Sequence, residues 1–141
     1  MKISFYICII FCLGFSGCIT EANPDIIIDD VLFQKASRDS FQFNSVKLIN
    51  DLFVANMSYG GGCENHSFNL FASSFIESDP VQINSVLSHE DYDEPCDMWI
   101  TEVVLFDLIP LRTSWQQSYQ KTHGTILMNL EGWNEQIRYD F

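Results

Sequence analysis

Basic residues are scarce: seven Lys and Arg stand against 19 Asp and Glu, for a net charge of −12. No run or stripe of Lys and Arg occurs anywhere in the 141 residues. A chain of this balance is repelled by phosphate backbones and anionic lipid headgroups, which excludes a nucleic-acid partner and favours cations or a basic protein. Catalytic signatures are missing too. There is no Gly-x-Ser-x-Gly, so no nucleophile elbow of that type is expected. Gly60-Gly61-Gly62 is not followed by Lys-Ser/Thr and so does not make a phosphate loop. Asp91, Asp93, Glu94 and Asp97 lack the glycine and terminal Glu spacing of a calcium-binding EF-hand. Internal repeats and low-complexity tracts are absent.

Long apolar runs are also missing. The longest, Ile3 to Phe15, falls short of the roughly 20 residues that a spanning helix needs. With Lys2 before it and Ser16-Gly17 after it, the run has the shape of a signal peptide. The ending Leu13-Gly14-Phe15-Ser16-Gly17-Cys18 resembles the bacterial lipobox, departing from it at Phe15, where that family prefers Leu. The resemblance implies cleavage after residue 17 and lipidation of Cys18 by palmitate-class acyl chains. The mature protein would then be tethered to a membrane of the bacterial cell envelope, the outer membrane or a periplasm-facing leaflet. Several chains anchor stably where one is marginal, since each buried CH₂ contributes about 0.8 kcal/mol. An ordinary secretory signal, with Cys18 incidental, is the alternative.

On this reading residues 1–17 are the signal, 18–25 the lipidated cysteine and tether, and 26–141 one domain, large enough to bury a core. Apolar residues are plentiful and Phe occurs twelve times, a composition opposite to that of disordered chains. Ile26 to Phe33 reads as a strand, Gln34 to Ser40 as a loop, and Phe41 to Tyr59 as one bulged strand or two broken at Asn50-Asp51. Two further strands flank a turn at Asp79-Pro80. Met98 to Ile109, apolar on both faces, predicts a central covered strand. Pro110 opens a helix through Lys121, with Leu111, Trp115 and Tyr119 on one stripe and Gly124 at its end. Alternation in Ile126-Met128-Leu130 and Ile137-Tyr139-Phe141 predicts a terminal hairpin. About seven strands and one short helix make an all-β antiparallel sandwich or flattened barrel.

Five cysteines are encoded. Cys8 and Cys12 leave with the signal and Cys18 takes the lipid. Cys63 and Cys96 remain, an even pair in an oxidising compartment, where a disulfide is expected. If the strands either side of Asp79-Pro80 pair, His66 and His89 meet at the ends far from the turn, with Cys63 and Cys96 beside them. Two thiolates and two imidazoles also make a zinc set, so Cys63, His66, His89 and Cys96 form the alternative, a metal site. Tyr59-Gly60-Gly61-Gly62-Cys63-Glu64-Asn65-His66-Ser67-Phe68 resembles a motif of small uncharacterised bacterial exported proteins, with which no activity travels. The likeness continues at Pro80-Val81-Gln82, His89, Cys96 and Phe106-Asp107-Leu108.

Three functions are compatible with this. The first is a non-enzymatic envelope lipoprotein with a binding or structural β-domain and no cofactor. The second is a periplasmic zinc-binding protein, and the third an inhibitor of a basic secreted hydrolase.

Overall fold

The computed structural model describes residues 22–141. The expected signal peptide, Cys18 and most of the tether lie outside the described residues. The domain is all-β in its layers, with two sheets packed face to face. One sheet has five strands in the order β1-β4-β5-β7-β8 and the other three in the order β2-β3-β6. The strands are β1 (Ile27–Ile28), β2 (Gln42–Ile49), β3 (Leu52–Gly61), β4 (Ser67–Ala72), β5 (Val81–Glu90), β6 (Met98–Asp107), β7 (Thr125–Leu130) and β8 (Ile137–Asp140). The helices are α1 (Asp30–Lys35) and α2 (Ile109–Tyr119). Side chains alternate along each strand, so Phe53, Ala55, Met57, Leu70, Ile83, Leu87, Ile126, Met128 and Tyr139 all meet in the shared core.

The sandwich is the expected one, with local differences. It is not wholly antiparallel: β1 runs parallel to β4, and β5 parallel to β7. The second pairing follows from the crossover of β6 and α2, which carries the chain to the other sheet and back. The strand expected from Ile26 to Phe33 stops at Ile28. Asp29 accepts from the amides of Val31 and Leu32 at 2.8 and 2.9 Å and caps α1, with Asp30 in its first turn and Lys35 in its last. Cap and dipole complementarity override the β-branched run there. Asn50-Asp51 is a two-residue turn between two strands, Asn50 sitting at φ 55°. The α2 stripe is as expected, with Leu111 and Trp115 buried. Gln120, not Gly124, takes the left-handed position at its end. Gly124 is small for another reason: any Cβ there would strike the Trp115 ring.

β6 is the clearest departure. It is an edge strand, paired with β3 alone, rather than the centre of a sheet. The covered central strand is β5, buried at seven of its ten positions. The terminal hairpin forms as read, with Ile126 opposite Tyr139 and Met128 opposite Ile137. The Tyr139 hydroxyl, fully buried, donates to Asp51 at 2.5 Å, and Arg112 donates to the same carboxylate at 2.6 Å. One turn aspartate thereby ties the β2–β3 hairpin to α2 and β8.

Candidate functional site

β4 and β5 pair so that Phe68 faces His89 and Ser67 faces Glu90. His66, one residue before β4, is thereby set against His89: its Nδ1 lies 2.7 Å from His89 Nε2. On its other side His66 Nε2 lies 2.8 Å from Glu94 Oε1. The second Glu94 oxygen accepts from the amides of Cys63 at 2.8 Å and Glu64 at 2.7 Å. At the far end His89 Nδ1 faces the Asp39 carbonyl at 3.2 Å. A continuous chain results, from Asp39 through two imidazoles to Glu94. The side chains of His66 and Glu94 are 0% and 2% exposed. Aromatic rings wall it: Phe68 stacks on His89 at 4.7 Å, Tyr59 lies 4.6 Å from His66, and Phe41 meets His89 edge-on at 5.8 Å.

Cys63 and Cys96 are joined in a disulfide, with Cα atoms 5.8 Å apart. It clamps the Gly61–His66 segment to the acidic loop that carries Glu94. The glycines now have a role. A Cβ on Gly61 would collide with Glu94 Oε1 and come within 2.8 Å of the His66 ring, so this position must be bare for the pair to close. Gly62 turns the chain at φ +119°, a conformation that L side chains rarely adopt. Gly60-Gly61-Gly62 is strand end and turn.

Burial works against the charged form of Glu94, but the bonds from His66 and from the amides of Glu64, Cys63 and Gly62 outweigh it and hold its pKa below the ordinary value. Glu94 is therefore a carboxylate, which assigns the His66 proton to Nε2. One proton lies between His66 Nδ1 and His89 Nε2, and the direction of that bond follows the tautomers. At His89 Nδ1, facing the Asp39 carbonyl, only an N–H makes a hydrogen bond. Burial lowers the pKa of His89, the Asp39 carbonyl only partly compensating, so His89 is the ring that burial holds neutral.

The four residues singled out in the sequence are brought to one place. Glu94 and Asp39 are additions. Glu94 sits among five acids between Glu90 and Asp97 that read as a solvated turn, and Asp39 acts through its backbone, which leaves no mark in the sequence. Away from the cluster, Glu77 takes a bond from the Tyr119 hydroxyl at 2.8 Å. Among the described residues, the ligand atoms of Cys63, Cys96 and Glu94 lie within 4.8 Å of one another, whereas the histidines face each other instead.

No family model matches this chain, and no curated protein matches it either. A solved structure does share its fold. A NigD-like immunity protein from Bacteroides caccae aligns over 82% of this chain and 58% of its own, with TM-score 0.53 and 13% identity. A protein of unknown function from Bacteroides vulgatus aligns over 84% and 56%, with TM-score 0.49 and 14% identity. A toxin-related protein from Parabacteroides distasonis aligns over 84% and 61%, with TM-score 0.48 and 13% identity. The chain spans about three fifths of the length of these proteins.

Proposed function

We propose that this protein is a lipid-anchored component of the bacterial envelope whose β-domain binds a basic protein partner and catalyses nothing. One observation carries the reading. The acid–base groups of the cluster are buried and committed to one another, while large apolar side chains stand uncovered on β6: Met98, Trp99 and Val103 are 65, 67 and 53% exposed. Groups arranged this way hold loops in place; groups left exposed this way are suited to meeting another surface. The acidic balance favours a basic partner, of which a secreted hydrolase is one class. Carried over as a proposal, the immunity role of the protein that shares this fold would make that partner a toxin. The test is crosslinking in intact cells that export the full chain. A stoichiometric complex with one basic protein, dissociated by salt and retained when His66 or His89 is replaced, supports the reading. Turnover of a substrate that depends on either histidine contradicts it.

A second reading rests on the proximity of Cys63, Cys96 and Glu94. After reduction, two thiolates and a carboxylate could take up zinc, with His66 supporting Glu94 from behind. One zinc per reduced chain, weakened by Glu94→Gln, supports it. No uptake by the reduced protein refutes it.

A further inference from the structure

The register of β3 against β6 runs without a break from Gly61 opposite Met98 to Leu52 opposite Asp107. In such a ladder alternate residues turn both backbone groups toward the neighbour, and those between turn them away. Asp107 turns away: its amide donates to the Pro24 carbonyl at 2.8 Å, and its carbonyl accepts from Ile26 at 2.9 Å. Leu105, Val103, Thr101 and Trp99 share that parity. None of these four makes an outward backbone hydrogen bond with any described residue. Pro24 explains where the cover ends. Continuing the parallel pairing would require an amide opposite the Leu105 carbonyl, and proline has none.

Edges of this length are ordinarily blunted by charge, proline or a bulge. β6 has no lysine, proline or bulge over ten residues, and its own charges are Glu102 and Asp107. Its outer face offers Trp99 beside Gly60, where the space a Cβ would enter is empty. Every charge on the strand or leading into it is negative: Asp93, Glu94, Asp97, Glu102 and Asp107. A second copy would bring the same charges against these, so self-pairing is disfavoured.

We infer that the open edge of β6 receives an extended Lys- or Arg-bearing segment of a partner protein as an added strand. The segment bonds to the backbone at Trp99, Thr101, Val103 and Leu105, covers Trp99 and Val103 with its own apolar side chains, and sets its cations against Glu102 and Asp97. Main-chain bonds supply affinity and the alternating side chains supply choice. This deepens the binding reading proposed above and rests on it.

The probe is an end-blocked peptide of about seven residues alternating Lys with Val, a length matched to an ordinary strand; its control replaces Lys by Glu. Amide exchange is followed residue by residue on the oxidised protein. The Lys peptide should slow exchange at the amides of Trp99, Thr101, Val103 and Leu105, and the effect should fade with added salt. Val103→Pro removes one outward amide without touching the β3 ladder, so it should leave the melting temperature nearly unchanged and weaken the peptide roughly tenfold or more. Trp99→Ser, which alters no backbone group, should weaken it as well. Equal protection by the Glu peptide, no protection at saturation, or edge amides already protected in the peptide-free protein (by a second copy or by residues 18–23) would each overturn the inference. If the edge stays bare while the exported protein still crosslinks a basic protein through another face, the docking surface is wrong and the binding reading survives.

Discussion

His66 Nδ1 lies 2.7 Å from His89 Nε2, and neither ring reaches water on that side. Two imidazoles this close are compatible with folding only while at least one of them is neutral. His89 is the one that burial keeps neutral. Its pKa is lower in the folded than in the unfolded chain, so on acidification the unfolded state takes up the proton first. Stability should be fully present above the unfolded histidine value, about 6.5, and decline as the pH falls below it. Glu94, also lowered, should add a second loss below its own unfolded value, about 4.3. Melting curves from pH 8 to pH 2.5 check this. The His89→Gln variant should be less stable at pH 8 and lack the first of the two declines. A melting temperature that rises between pH 7 and pH 5.5 would reverse the sign.

Glycine at 61 and glycine at 60 should behave differently. Gly61→Ala forces a methyl into Glu94 and His66, and overpacking of this kind costs about 1–3 kcal/mol. Gly60→Ala meets nothing within 4 Å, and a surface change of that sort stays within about 0.5 kcal/mol. Denaturant titration of the two variants separates them. Equal effects would mean that the His66–Glu94 contact does not govern this turn.

The Cys63–Cys96 bond closes a separation of 33 residues. In the chain-entropy model its loss costs about 3.7 kcal/mol. Cys63→Ser and Cys96→Ser should destabilise by similar amounts, since either opens the same loop. Intact mass should fall by about 2 Da on oxidation, the two hydrogens lost in forming S–S. A mass that does not change with reduction would remove the clamp from this account.

Tyr139 should matter beyond its ring. Tyr139→Phe leaves the packing in place but deprives Asp51 of a buried donor, with a cost of about 1.5–3 kcal/mol for a bond to a charged group. Deleting residues 137–141 removes β8 with it and should leave the domain unfolded or aggregated, because a folded domain has only about 5–15 kcal/mol in total. Chemical denaturation of the point variant and circular dichroism of the truncated chain check the two outcomes.

Lipidation of Cys18 stands on the lipobox resemblance. Cys18→Ser should abolish acyl labelling and leave precursor or a soluble product. A variant that still labels and partitions with detergent would contradict the anchor.

The terminal hairpin was legible because Ile126 to Leu130 and Ile137 to Phe141 alternate cleanly, and period-two alternation survives into the sheet. The meeting of His66 and His89 followed from the same rule applied to two strands and one turn. β6 was misread for a physical reason. Apolar residues on both faces of a strand indicate cover on both faces, and among the described residues Trp99 and Val103 have no such cover. The start of α1 was hidden under Ile26-Ile27-Ile28, although Asp29 carried the capping signal. Glu94 was lost among neighbouring acids, because only the three-dimensional path past Gly61 distinguishes it from them.

Residue-resolved amide exchange on β6 in the partner-free, oxidised protein tests the central claim most directly. An open edge predicts a two-residue alternation: slow exchange at Ile100, Glu102, Val104 and Phe106, whose amides face β3, and fast exchange at Trp99, Thr101, Val103 and Leu105. Uniformly slow exchange along the strand would show that the edge is already covered, and would contradict a domain built to receive a partner there.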